Sequence, residues 1–150
     1  MIHKALPLVF LLAACSVAPT NESTNTKTVI YDEGGFIDAR NREIQQLKRD
    51  NTKVEIKGVC ISACTMYLSL ENTCVHPNAS LGFHGATELP FIPATPENKL
   101  KYDLKLAKHY PPNLRKWFME EGRKIIILWK TKSGQELHDM DPDYIKFCKD

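Results

Sequence analysis

In the stretch KGVCISACTMYL, Lys57 to Leu68, a serine stands between two cysteines where a β-rich run gives way to a helix-forming one. A serine at a helix N-terminus has unbonded backbone N–H groups beside it and the positive end of the helix dipole before it. With a base in reach of its hydroxyl, such a serine is a nucleophile. His84 ends a strand-like run, ASLGFHG, 22 positions after Ser62, and can act as that base. Gly34-Gly35 follows an earlier strand-like run, and a glycine there lets substrate come close to the main chain. The Gly35 and Ala63 amides can then both point at an oxyanion. Each residue also has a plain reading: Ser62 as an N-cap, the glycine pair as a tight turn, His84 as a hydrogen-bonded core histidine.

The elements that must position these residues follow from patterning. TVIY (28–31) is a short strand and DEGGF a turn that needs permissive glycines. Ile37, Ile44 and Leu47 recur among charges as one face of a helix ending near Arg49. KVEIK alternates as a strand, Gly58 to Ile61 reads as a turn, and a helix capped by Ser62 runs to about Leu70. TCVHP and ASLGFHG are two more short strands. ATELPFIPATPEN, with three prolines, reads as a loop, and ENKLKYDLKLAKHY (97–110) as a charged helix. Pro111-Pro112 opens a helix that Gly122 stops. KIIILW (124–129) reads as a buried strand and SGQELHDM as a short helix. Strands alternate with helices, so the class is α/β with parallel pairing. In such a sheet the C-terminal strand ends share one edge, and Ser62 and His84 are expected to meet there. His76, His109 and His138 are expected to be structural or solvated.

The N-terminus bears on compartment. Lys4 precedes an apolar run from Ala5 to Leu12, too short for a stable transmembrane helix, as in a secretory signal. It ends in Leu12-Ala13-Ala14-Cys15, which resembles the bacterial lipobox and implies cleavage before Cys15 and its acylation. Ser16, in place of an aspartate, implies the outer membrane, facing the periplasm. Residues 1–14 are thus expected to be a signal peptide, 15–27 a lipidated cysteine with a polar tether, and 28–150 one domain. Twenty basic and 18 acidic residues are interspersed along the 150-residue chain, and no basic run alternates with aromatics. That argues against nucleic acid as a partner. No cofactor motif is present.

With Cys15 given to lipid, four cysteines remain, an even number that implies two disulfides in an oxidising compartment. A zinc site is the alternative, but the spacings lack the short paired knuckles that zinc folds use, so no metal is expected. Cys60 and Cys64 bracket the serine at one edge of the sheet. Cys74 enters the next strand at the opposite edge, on the order of 15 Å of helix away. Disulfide geometry needs Cα atoms within about 7 Å, so Cys60–Cys64 and Cys74–Cys148 are the expected pairs.

From Asp32 to Ala86 the order of glycine pair, serine opening a helix after a second strand, and histidine ending a later strand resembles the Clp-protease proteolytic-subunit branch of the crotonase-like superfamily. The secreted, cysteine-containing relatives of that branch are more similar still, and YPPNLRKWFMEEG and the terminal cysteine are similar to theirs. The resemblance implies a crotonase-like α/β domain and a serine peptidase, with Ser62 as nucleophile, His84 as base, and the Gly35 and Ala63 amides as oxyanion hole. Two departures accompany it. The family's strand–helix–strand unit before the glycine pair has no room here, so the domain would be a reduced one with a short, mainly parallel sheet. The family's acid falls near Trp129, where no carboxylate stands, and Glu120, Glu121, Asp139 and Asp141 are substitutes by proximity only. The alternative is a catalytically inactive envelope lipoprotein that binds a protein or peptide through the same cleft.

Overall fold

The computed structural model describes residues 25–89 and 92–149. The expected signal peptide and the lipidation site Cys15 lie outside the described residues. In chain order the elements are β1 (Thr26–Asp32), α1 (Ile37–Arg49), β2 (Lys53–Ile61), a 3₁₀ segment (Ser62–Ser69), β3 (Thr73–Val75) and β4 (Ser80–Phe83). There follow β5 (Thr87–Leu89), β6 (Ile92–Pro93), α2 (Pro96–Ala107), α3 (Pro112–Glu120), β7 (Lys130–Ser133), α4 (Gly134–Met140) and β8 (Lys146–Phe147). The first strand thus begins inside the stretch expected to be tether. Among the described residues no helix is long and apolar enough to cross a membrane.

The long strand β2 is the spine of a mixed six-stranded sheet. β1 lies parallel along one side of it; β3 pairs with Val54–Ile56 and β4 with Val59–Ile61 on the other, both parallel. β8 extends the sheet beyond β3, and β7 closes the other edge antiparallel to β4. Val54, Ile56, Leu81 and Phe83 are fully buried under Tyr67, Leu106, Leu114 and Phe118. Phe83 and Tyr110 meet edge to face, as do Tyr110 and Phe118, which locks α2 and α3 onto the sheet.

Four sequence expectations need correction. The chain does not turn at Gly58: β2 runs on to Ile61. A Cβ at Gly58 would lie 2.0 Å from the Ile30 carbonyl oxygen, where the β1–β2 register shifts. The glycine admits a bulge instead of breaking the strand. Ser62 is not an N-cap; extended Ile61 holds that position and Ser62 opens a 3₁₀ segment, not an α-helix. KIIILW is not a buried strand. Ile125–Trp129 is irregular, with Ile127 73% and Leu128 68% exposed, and the strand is the polar KTKS that follows. The reason lies in the partner: β4 ends at Phe83 opposite Lys130, so residues before Lys130 have no strand to pair with. The stretch ATELPFIPATPEN, expected to be a loop, carries two short strands, β5 and β6, paired antiparallel.

Candidate functional site

Ser62 has φ +57°, and Asn51 is the other non-glycine residue at positive φ among the described residues. The left-handed region costs a side-chain-bearing residue about 1–2 kcal/mol, and Asn tolerates it better than Ser. Several contacts hold the corner. Cys60 and Cys64, both without exposure, are disulfide-bonded with Cα atoms 5.3 Å apart. Thr65 Oγ1 donates to the Ser62 carbonyl at 2.6 Å and shares a 2.7 Å hydrogen bond with the Tyr110 hydroxyl.

The two glycines opposite do different work. A Cβ on Gly34 would lie 2.6 Å from Ile61 O, 2.7 Å from Ala63 N and 2.9 Å from Ser62 Cβ, so only glycine lets the loop close on the serine corner. Gly35, at φ +109°, has nothing within 4 Å of its Cβ position and faces open space. A buried arginine fixes this loop. Arg40 Nη2 donates to both Asp32 carboxylate oxygens, at 2.9 and 2.7 Å, and to Gly34 O at 3.0 Å. Asp32 Oδ1 in turn accepts the Gly34 N–H at 2.7 Å. Arg40 Nη1 reaches Glu43 and the Tyr67 hydroxyl. Partial burial works to raise the Glu43 carboxyl, but hydrogen bonds from Lys27 and Tyr67 and the Arg40 charge outweigh it and hold the group below the usual range. The sequence reading missed Arg40, whose signal was a lone basic residue close to the apolar face of α1.

Gly35, Ser62 and His84 line one groove of about 1220 Å³. Its walls carry large exposed side chains: Phe36 (79% exposed) beside the glycine loop, and Ile127, Leu128 and Trp129 from the irregular segment. Ala63 is fully buried behind the corner. Ser62 Oγ makes no hydrogen bond among the described residues. His84 donates from Nδ1 to the Gly85 carbonyl oxygen at 2.8 Å, because a carbonyl can only accept. Such an imidazole keeps its lone pair on Nε2, the form a general base needs.

The four candidate acids are elsewhere. Asp141 is buried and accepts the Asn113 and Leu114 amides at 3.0 and 2.9 Å, closing the start of α3. Asp139 accepts from Gln135, and Glu120 and Glu121 are exposed; none of the four lines the groove. The carboxylate nearest His84 along the hydrogen bonds is one the sequence reading passed over, Asp103 on α2. It has no exposure and accepts the Ala86 N–H at 2.8 Å and the Lys99 ammonium at 2.7 Å.

The other two cysteines among the described residues also pair: Cys74 and Cys148 are disulfide-bonded with Cα atoms 4.8 Å apart, which fastens the tail to β3. His76 accepts the Asn78 N–H and His138 donates to Ile145 O. His109 is buried against Ser69. Compared with known proteins, the chain matches no family model and no curated sequence.

Proposed function

We propose that this protein is a serine hydrolase, a peptidase built on a reduced crotonase-like (ClpP-like) domain and working at the cell envelope. Ser62 attacks the scissile carbonyl, His84 Nε2 takes the hydroxyl proton, and the Gly35 amide on the groove receives the oxyanion, while Ala63 is buried behind the corner and does not line the groove. One observation carries the reading: a serine held in the left-handed region at a strand-to-helix corner, on a groove shared with a histidine and an open glycine face. Conformations of that kind persist where the surroundings over-determine them, and they cluster at active sites. A nucleophile on a sharp turn after a strand presents its oxygen free of its own helix, as in nucleophile elbows. The apolar groove walls suit a peptide with large aliphatic or aromatic side chains. Cys15 acylation would hold this groove at the membrane surface, and mass spectrometry of the mature N-terminus tests that part separately.

The test of chemistry is a fluorophosphonate probe on the purified mature chain. The expected result is one phosphonylated residue, Ser62, with labelling abolished in Ser62→Ala and sharply reduced in His84→Ala. Absence of labelling in a correctly disulfide-bonded protein would sink the enzyme reading. A second reading then stands, a non-catalytic lipoprotein that binds peptide in the same groove. The missing Ser62–His84 hydrogen bond favours it.

A further inference from the structure

We infer that the acid of this site is Asp103, acting on His84 through a single peptide unit and not by direct contact. The Gly85 carbonyl that accepts from His84 Nδ1 and the Ala86 N–H that donates to Asp103 Oδ1 belong to the same peptide plane. In a trans peptide those two groups point in opposite directions. The order of atoms is therefore carboxylate, N–H, C=O, Nδ1–H, with Asp103 at one end and the imidazole at the other. A carboxylate on the N–H end draws that proton and makes the carbonyl a better acceptor, since linked hydrogen bonds polarise one another. Asp103 is thus a positioning residue for His84: the Gly85 carbonyl selects the Nδ1–H tautomer, and Asp103 strengthens that acceptor and fixes the peptide plane without touching the ring.

The rest of the corner is built to keep this plane still. The Gly85 N–H donates to Ile125 O at 2.7 Å, and a Cβ at Gly85 would lie 2.1 Å from Arg123 O. Lys99 Nζ joins Asp103 Oδ2 to Arg123 O, at 2.7 and 2.6 Å, and Arg123 Nη1 lies 3.8 Å from the same carboxylate oxygen. The buried negative charge therefore has cations on one oxygen and the Ala86 amide on the other. A loop clamp would need only an acceptor there. A full, charge-balanced carboxylate on the far side of the peptide that holds the histidine is what a relay needs. The catalytic meaning rests on the serine hydrolase reading, while the tautomer and the amide bond can be measured without it.

The experiment uses the mature, disulfide-bonded chain with ¹⁵N-labelled histidine. In the wild type the His84 ring nitrogens should report Nδ1–H, and the Ala86 amide proton should sit far downfield, as a charge-assisted bond requires. Asp103→Asn with Lys99→Met keeps an acceptor for Ala86 while removing both charges. It should return His84 toward the Nε2–H form, move the pH profile of Ser62 labelling, and slow labelling about 10²-fold, the scale of a small misplacement. An Nε2–H tautomer in the wild type, or an unchanged tautomer and pH profile in the folded double variant, would overturn the inference. If that variant does not fold, the two wild-type signals decide alone. If Ser62 never labels, the hydrolase reading fails, and the tautomer still tests the relay.

Discussion

The Cys74–Cys148 bond spans 74 residues and ties β8 and the tail onto β3, whereas Cys60 and Cys64 lie four residues apart across the Ser62 corner. Chain entropy weights the two differently. Closing the long loop removes about 4.5 kcal/mol of freedom from the unfolded chain, and closing the short one about 2 kcal/mol. The tail clasp also sits on a weak piece of sheet, since β3 and β8 share two register pairs. The corner clasp sits where β2, the glycine loop and the 3₁₀ segment already meet. A staple placed for stability alone would be wasted on so short a loop. Its place beside a residue at φ +57° points to conformation as its purpose.

Breaking the tail clasp gives the largest effect. Cys74→Ser with Cys148→Ser should lower unfolding free energy in urea by about 4 kcal/mol. Ser62 labelling well below the transition should change less than about twofold, since the tail does not line the groove. A large labelling loss in that folded variant would erase the distinction between the two bonds. Cys60→Ala with Cys64→Ala should do the reverse. Stability falls by only about 2 kcal/mol, but Ser62, free to leave the left-handed region, should label about 10²-fold more slowly. Labelling that merely follows the fraction folded would show that Gly34 and Thr65 hold the corner unaided.

These contrasts also mark what the sequence made legible. Both cysteine pairings and the placing of Ser62 and His84 on one groove were legible, because residue types with distinctive chemistry occur at spacings a parallel sheet explains. The Ser62 conformation did not, because a serine before a helix-forming run is ordinarily a cap, and φ +57° results from packing by Gly34 and the flanking disulfide. KIIILW read as a strand because aliphatic runs usually are; only the length of β4 shows that it has no partner. Arg40 and Asp103 were missed for a related reason. A charged residue on an amphipathic helix is by default solvated, and their burial depends on partners, Asp32 and Ala86, that lie 8 and 17 positions away.

A smaller effect separates the two ends of the 3₁₀ segment. The Ser62 end is held by a covalent bond, while the Ser69 end is held by a histidine. Ser69 Oγ donates to Met66 O at 2.9 Å, so its 2.8 Å contact with His109 is received from Nδ1–H. That leaves His109 Nε2 buried without a partner among the described residues. Burial, with the Lys108 charge adding to it, lowers this imidazole from the ordinary 6.5 to about 4. Lys105 and Asp38, themselves paired at 2.7 Å, share its pocket. Between those two values the unfolded chain binds the proton and the folded chain does not. The stabilisation is therefore complete above about pH 6.5 and is lost as pH falls toward 4, at no more than about 1.4 kcal/mol per pH unit. Urea unfolding at pH 7 and pH 5 should show a steeper loss for the wild type than for His109→Gln, which cannot titrate. Comparing the two cancels the carboxylates they share, such as Glu43 and Glu55, whose lowered values act further down the scale. Equal slopes would mean that His109 takes up its proton without leaving Ser69, and that both ends of the segment are insensitive to pH.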